Sequence, residues 1–226
     1  MPLTTVRQEV SIRLSEVQSF LSVIKEGEKP RATQSKNTNT NKGLFLVLLY
    51  STLEYAVTRS IIEYAETVNL TKVNYQHISS SLYALTLDSQ LTSCAMVGRE
   101  QRWQKRIELF EKQSSTDTVR ISDSAFLEQL ENIWTRTIFK VFNILGITNP
   151  ALYDPRVSQY INEVVEKRNA VAHGRESAAV IGQSYTTGRL QTLYEELSKQ
   201  MQYMMVCFEQ HLDAKNFINA QHKHIY

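Results

Sequence analysis

The sequence has few of the residues that make tight turns and covalent crosslinks. Seven glycines and four prolines in 226 residues are too few for a β-sandwich or a barrel, and this scarcity favours long helices. The two cysteines, Cys94 and Cys207, lie far apart and form no CxxC pair. We therefore expect neither a disulfide framework nor a structural zinc site, and a reducing, cytoplasmic environment fits this cysteine usage.

Further absences narrow the function classes. The formal net charge is only +2, so any basic surface must be local. The chain starts without the apolar stretch of a secretory signal, and its most apolar run, residues 44–50, is far shorter than the ~20 residues of a bilayer span. No membrane partner is expected. Because the sequence contains no glycine-rich phosphate loop, no HExxH and no GxSxG, ATPases, zinc proteases and serine hydrolases are disfavoured.

Hydrophobic periodicity predicts an all-α bundle formed by a single domain over residues 1–226. Apolar side chains follow a helical stripe in three segments, namely 4–26, 123–145 and 154–174. The helix predicted over 44–66 is apolar nearly all round in its first half, which predicts a place in the middle of the bundle. A last long helix is predicted at about 189–216. Shorter helices are predicted around 77–87, followed by a polar stretch, and at 99–113. Residues 28–42, EKPRATQSKNTNTNK, contain no large apolar side chain and predict a flexible loop after the first helix.

Capping residues predict where the later helices begin and end. The boundary residues are Ser122 or Asp123, Gly146, Asp154 followed by Pro155, and Gly174. Asp154 is expected as the N-cap and Pro155 as the first helical residue. The apolar stripe of the 123–145 helix is expected to start at Phe126.

One stretch, 163–175 with the sequence EVVEKRNAVAHGR, places chemistry-bearing side chains at the end of a helix. Asn169 and His173 are four residues apart and share a face, and Arg168 lies ~100° away around the helix. A histidine can move a proton near neutral pH, and a guanidinium offers a fixed fork of donors to phosphate oxygens. This set suits cleavage of RNA by its own 2′-hydroxyl, which needs no metal. Since one histidine does not easily act as both acid and base, two copies of the helix facing each other across a twofold axis are expected.

The segment RNAVAH at 168–173 resembles the R-x(4–6)-H signature of HEPN domains. Its place on a late helix, after the apolar helix LLYSTLEYAVTRSIIEYAE, agrees with that family. The resemblance extends over the whole chain, implies a HEPN-type helical bundle, and treats 28–42 and 88–122 as variable insertions. It also implies a metal-independent endoribonuclease that works as a dimer without a cofactor. In that enzyme Arg168 stabilises the phosphorane, Asn169 orients, and His173 is the general acid or base.

The same resemblance implies a biological setting. Many HEPN proteins are toxins of toxin–antitoxin, abortive-infection or other phage-defence loci, so an antitoxin or a regulatory protein is an expected partner beside the RNA substrate. Other members have lost activity. The alternative is therefore a catalytically silent helical module that binds a partner protein or a nucleotide.

Glu54 and Arg175 are further candidates, each with an ordinary alternative. Glu54 lies in the most apolar helix, where a carboxylate needs a partner. It is expected either to pair with Arg168 and orient it, or to lie at the edge of the core. Arg175, just beyond the helix, either contacts phosphate or is simply exposed.

A basic segment around Trp103 is a candidate RNA-binding surface. Its cations are Arg99, Arg102, Lys105 and Arg106. They could hold single-stranded RNA by charge while Trp103 stacks on a base. The alternative is a solvated helix face with Trp103 in the core.

Overall fold

The computed structural model describes residues 2–28, 30, 35–122, 130 and 132–226. These residues form helices and no β-strand, apart from two isolated bridge pairs, which confirms the predicted all-α class. The helices are α1 (Thr4–Glu26), α2 (Lys36–Leu70), α3 (Ser80–Thr86), α4 (Asp88–Met96), α5 (Arg99–Lys112), α6 (Thr135–Leu145), α7 (Val157–Ala172), α8 (Ala178–Gln183), α9 (Thr187–Asp213) and a final 3₁₀ helix (Ala220–Ile225).

The α2 helix forms the centre of the bundle, as its apolar first half predicts. It packs against α1, α7, α8 and α9 and buries large side chains such as Phe45, Leu49 and Tyr64. Among the described residues it is the one helix long and apolar enough to cross a membrane. However, 56% of its most apolar window is buried inside the protein. Its apolar surface is therefore largely used by the other helices of the bundle.

The α2 helix also begins earlier than predicted, so the loop predicted over 28–42 is wrong for residues 36–42. Ser35 caps the helix by accepting a hydrogen bond from a backbone N–H of the first turn. Lys42 is buried, and its ammonium nitrogen lies 2.9 Å from a carboxylate oxygen of Glu28. These polar interactions, rather than apolar side chains, stabilise the first turns of α2. Hydrophobic periodicity therefore gave no sign of them.

Two later helices differ from the prediction at their start. Within the range predicted as one helix, 123–145, the helix that the structure describes is α6, which begins only at Thr135. Trp134, just before it, has extended backbone, so the prediction of a continuous helix is wrong. The expected cap Asp123 and the first stripe residue Phe126 lie outside the described residues. Helix α7 has Arg156, not Asp154, at its N-cap. The Asp154 carboxylate accepts a hydrogen bond from the Arg156 backbone N–H at 2.8 Å, so it stabilises the turn before the helix.

The 88–122 segment carries two helices instead of one. Helix α5 confirms the helix predicted at 99–113, whereas α4 occupies the polar stretch in which no helix was predicted. The two helices pack on each other, and α4 also contacts α3. The chain then returns to the bundle at Ile121, which is buried. There the Asn69 side chain exchanges two hydrogen bonds with the Ile121 backbone, at 2.8 and 3.0 Å.

Candidate active site

The α7 helix ends in a glycine turn that exposes the end of the predicted motif. Gly174 has φ of 65°, in the left-handed region that favours glycine. The Arg175 N–H donates to the Ala170 carbonyl at 2.9 Å, and the Gly174 N–H donates to the Val171 carbonyl at 3.1 Å. This is a Schellman arrangement. Gly174 therefore ends the helix as predicted and sets the direction of the chain after His173.

Arg168 is held from three directions by side chains of α2 and α7. Its guanidinium carbon lies 4.2 Å from the centre of the Tyr50 ring. Its Nη1 donates to Asn169 Oδ1 at 2.9 Å, and its Nη2 lies 3.6 Å from Glu54 Oε2. The Arg168 side chain is 24% exposed. A cation–π contact, a hydrogen bond and an ion pair thus fix the guanidinium while part of it still faces solvent.

Tyr50 joins this cluster to the core. Its ring is fully buried, and its hydroxyl donates to Glu54 Oε1 at 3.0 Å and accepts from the Ile133 backbone N–H at 3.2 Å. Burial raises the pKa of Tyr50 to about 12, with the Glu54 carboxylate adding to the effect. The phenol therefore stays protonated at neutral pH and keeps Glu54 oriented towards Arg168. Asn132 adds a longer contact, since its Oδ1 accepts from Arg168 Nη1 at 3.4 Å.

The structure brings together some of the predicted site residues. Glu54 pairs with Arg168, which is the first of its two predicted interpretations. Asn169 is buried and contacts Arg168 directly, a geometry suited to orienting it. His173 is exposed, and its imidazole makes no hydrogen bond to the other described residues. The catalytic roles of Arg168, Asn169 and His173 stay predictions.

Charged side chains earlier on α7 have partners. Glu163 forms an ion pair with Arg189 of α9, and Glu166 lies 3.5 Å from the Lys167 ammonium. Beyond the helix end, Arg175 is exposed, and its side chain has no ion pair within the described ranges. The groups available to a ligand therefore lie at the C-terminal end of α7.

The predicted basic surface lies on a different element. Arg99, Arg102, Lys105 and Arg106 are carried by α5, whose main packing partner is α4 rather than α7. Trp103 is 69% exposed, so the alternative that places it in the core is wrong.

Two residues of the Arg168 cluster escaped the sequence reasoning. Tyr50 had a usable signal, because it stands four residues before Glu54 and therefore shares a helix face with it. Asn132 had none, since it lies in irregular backbone before α6 and meets Arg168 only through the tertiary fold.

The described part of the chain contains no group of three or more His, Cys, Asp or Glu side chains that lie close enough together to hold a metal ion.

Comparison with protein families matches the chain to the family described as RiboL-PSP-HEPN over residues 8–214. The chain belongs to the RiboL-PSP-HEPN family. The matched range contains both the 163–175 segment and the α2 residues that hold Arg168, and HEPN domains are commonly RNases. No curated protein and no solved structure gives a significant match.

Proposed function

We propose that this HEPN protein is an endoribonuclease that cleaves RNA by attack of the 2′-hydroxyl, without a metal. The observation that carries the proposal is the fixed Arg168 guanidinium beneath the capped end of α7, where His173 is exposed. A positioned donor fork and a solvent-facing imidazole are the two groups that this reaction needs. Membership of a family in which RNases are common supports the same conclusion.

In the proposed reaction the 2′-oxygen forms a bond to phosphorus and the bond from phosphorus to the 5′-oxygen breaks. A base removes the proton from the 2′-hydroxyl, and an acid protonates the leaving 5′-oxygen. The products are a 2′,3′-cyclic phosphate and a 5′-hydroxyl. His173 serves as acid or base, and Arg168 stabilises the negative charge on the phosphorane. Because the substrate supplies its own nucleophile, no metal-activated water takes part.

We further propose a homodimer in which the α7 ends of two protomers approach each other. Each protomer offers one histidine at this position, whereas the reaction uses an acid and a base. Two of the three solvent-exposed residues of α7, Gln159 and Glu166, are polar, so we expect association to be weak and sensitive to salt. Sedimentation velocity at several protein and salt concentrations measures this. A strict monomer that still cleaves RNA at the same concentration contradicts the composite site.

The decisive experiment compares His173→Ala and Arg168→Lys with the wild type on end-labelled RNA in excess EDTA. We expect either substitution to slow cleavage at least ~100-fold, because the first removes a proton-transfer group and the second replaces a donor fork by a point charge. Products should end in a 2′,3′-cyclic phosphate. An RNA with a single 2′-deoxy nucleotide at the cut site should not be cut.

Matched substitutions at exposed positions serve as controls. His224→Ala and Arg156→Lys change the same residue types outside the cluster and should leave cleavage unchanged. Full activity of His173→Ala overturns the catalytic assignment. A folded wild type that cuts no RNA, or a requirement for Mg²⁺, favours the silent interaction module or a different reaction.

We also propose that the protein acts in the cytoplasm as a toxin of a toxin–antitoxin or phage-defence system. This role rests on the HEPN family and on the proposed RNase activity. Induced expression of the wild type should arrest growth, and His173→Ala should relieve the arrest at equal protein level. Equal arrest by both proteins contradicts a toxin that works by cleavage.

A further inference from the structure

The α3, α4 and α5 helices enclose an apolar cleft that shares no lining residue with the Arg168 cluster. Its volume is about 1020 Å³, and its walls include Tyr83, Leu87, Leu91, Cys94, Ile107 and Phe110. Several large apolar side chains here face solvent, with Trp103 at 69% and Phe110 at 75% exposure. Contiguous exposed apolar surface of this kind marks an interaction site more often than chance exposure.

Specific contacts fix the two sides of the cleft relative to each other. The Tyr83 hydroxyl of α3 donates to the Leu109 carbonyl of α5 at 2.7 Å. At the end of α5, the Lys112 ammonium lies 4.7 Å from the centre of the Tyr75 ring. The cleft is therefore part of the fold and has no need of a ligand to form.

The charge at the cleft is positive, because two arginines, Arg102 and Arg106, line it against one carboxylate, Glu111. The first eight residues of α5, 99–106, carry four cations and a single carboxylate. Lys105 pairs with Glu108 at 3.0 Å, whereas Arg102 and Arg106, which both line the cleft, form no ion pair with any described residue. The Nε of Arg102 is buried without a hydrogen-bond acceptor. Arg106 is exposed, so its guanidinium is accessible to a carboxylate brought by a ligand.

We propose that this cleft binds an acidic amphipathic helix of a partner protein. The apolar face of such a helix fills the cleft, and its carboxylates meet Arg102 and Arg106. A second copy of the chain fits worse, because it brings the same excess of cations to the same place. RNA also fits worse, because the walls are largely aliphatic and hold only two cations for a phosphate backbone.

A synthetic acidic helix tests this directly, with Trp103 as the reporter. The peptide has about four helical turns, leucine at positions i, i+3, i+4 and i+7, and glutamate beside them. We expect it to bind and to shift the Trp103 emission to the blue, since binding buries the exposed indole. A peptide of the same composition with the leucines distributed around the helix should not bind. Trp103→Phe should abolish the emission shift while labelled peptide still binds.

Charge reversal supplies the second arm of the test. Arg106 is exposed, so Arg106→Glu should fold normally and weaken binding at least tenfold, about 1.4 kcal/mol. Arg120→Glu reverses an exposed arginine outside the cleft and should leave binding unchanged. Equal binding of the scrambled peptide, absence of binding, or a Trp103 shift caused instead by RNA or by self-association overturns the proposal. RNA cleavage does not enter this measurement, so its outcome is independent of the proposed nuclease activity.

Discussion

The Tyr50 hydroxyl makes two hydrogen bonds from inside the core, one to the Glu54 carboxylate and one from the Ile133 backbone N–H. The same ring carries the Arg168 guanidinium on its face. One buried side chain therefore ties α2, the segment before α6 and the helix of the candidate site to each other. Removal of this side chain should therefore lower the free energy of unfolding and also change the position of the Arg168 guanidinium.

We predict that Tyr50→Phe lowers the free energy of unfolding by about 1–3 kcal/mol. The ring and its contact with Arg168 remain, but the buried Ile133 N–H loses its acceptor. Urea denaturation measures the change. Tyr203→Phe is the matched control, because the Tyr203 hydroxyl donates to the Pro150 carbonyl at an exposed site and its loss should cost less than about 1 kcal/mol. Equal losses in the two variants contradict the special role of Tyr50.

At the scale of helices, α2 and α8 cross at two glycines with no room between their backbones. A methyl group on Gly43 would lie 2.0 Å from the Ala178 carbonyl oxygen, and one on Gly182 would lie 1.8 Å from the Asn39 carbonyl oxygen. Both distances are far below van der Waals contact. The short α8 helix thus stays in place through backbone approach to α2.

We predict that Gly182→Ala destabilises the protein by at least about 1–3 kcal/mol, because the methyl group forces the two backbones apart. Gly188→Ala makes the same change in the first turn of helix α9, where the methyl group meets nothing closer than 3.9 Å. Since alanine favours a helix over glycine, that control should not destabilise the protein and should stabilise it by at most about 1 kcal/mol. Thermal and urea unfolding measure the change in the free energy of unfolding of each variant. Equal destabilisation of both variants would contradict the claim that the close approach of α2 and α8 excludes a methyl group at Gly182.

The sequence could predict the elements whose packing depends on apolar side chains. Helix α1 matches its apolar stripe from Val6 to Ile24, and α9 lies within three residues of its predicted bounds. It could not predict the first turns of α2, where Lys42 is buried and paired and where glycine contacts replace apolar packing. For the candidate site, helical spacing selected Arg168 and Asn169. The contact of Arg168 with Tyr50 depends on two helices more than a hundred residues apart in the chain.

At the scale of the whole molecule, a buried histidine of α9 forms a hydrogen bond with α2 in the middle of the bundle. His211 of α9 is only 4% exposed, and its Nδ1 lies 3.0 Å from the Tyr64 hydroxyl of α2. Burial lowers the pKa of His211 to about 4. The folded protein therefore keeps this imidazole neutral at pH values where a histidine in the unfolded chain is protonated.

This difference predicts an acid-sensitive fold. As pH falls below about 6.5, the unfolded chain binds a proton at His211 that the folded protein refuses until about pH 4, so stability is lost in that window. The loss should approach 1.4 kcal/mol per pH unit well below pH 6.5, and it should reach about 1.6 kcal/mol between pH 6.5 and 5. Urea denaturation at several pH values measures it. His211→Gln should remove most of this slope and His224→Gln should not, whereas an unchanged slope in His211→Gln would assign the acid sensitivity to other groups.

The glycine crossing has a consequence for the residues that precede it. Residues 173–177 form a short connection between α7 and α8. The Gly174 turn fixes its beginning, and the close packing of Gly182 against the α2 backbone fixes the helix that follows it. This connection is short, and the His173 imidazole, which extends from it, makes no hydrogen bond to the described residues. The Arg168 guanidinium is instead held by contacts with neighbouring side chains. The positions of His173 and Arg168 therefore depend on different parts of the structure. An insertion or deletion within residues 173–177 would move His173 and leave Arg168 in place.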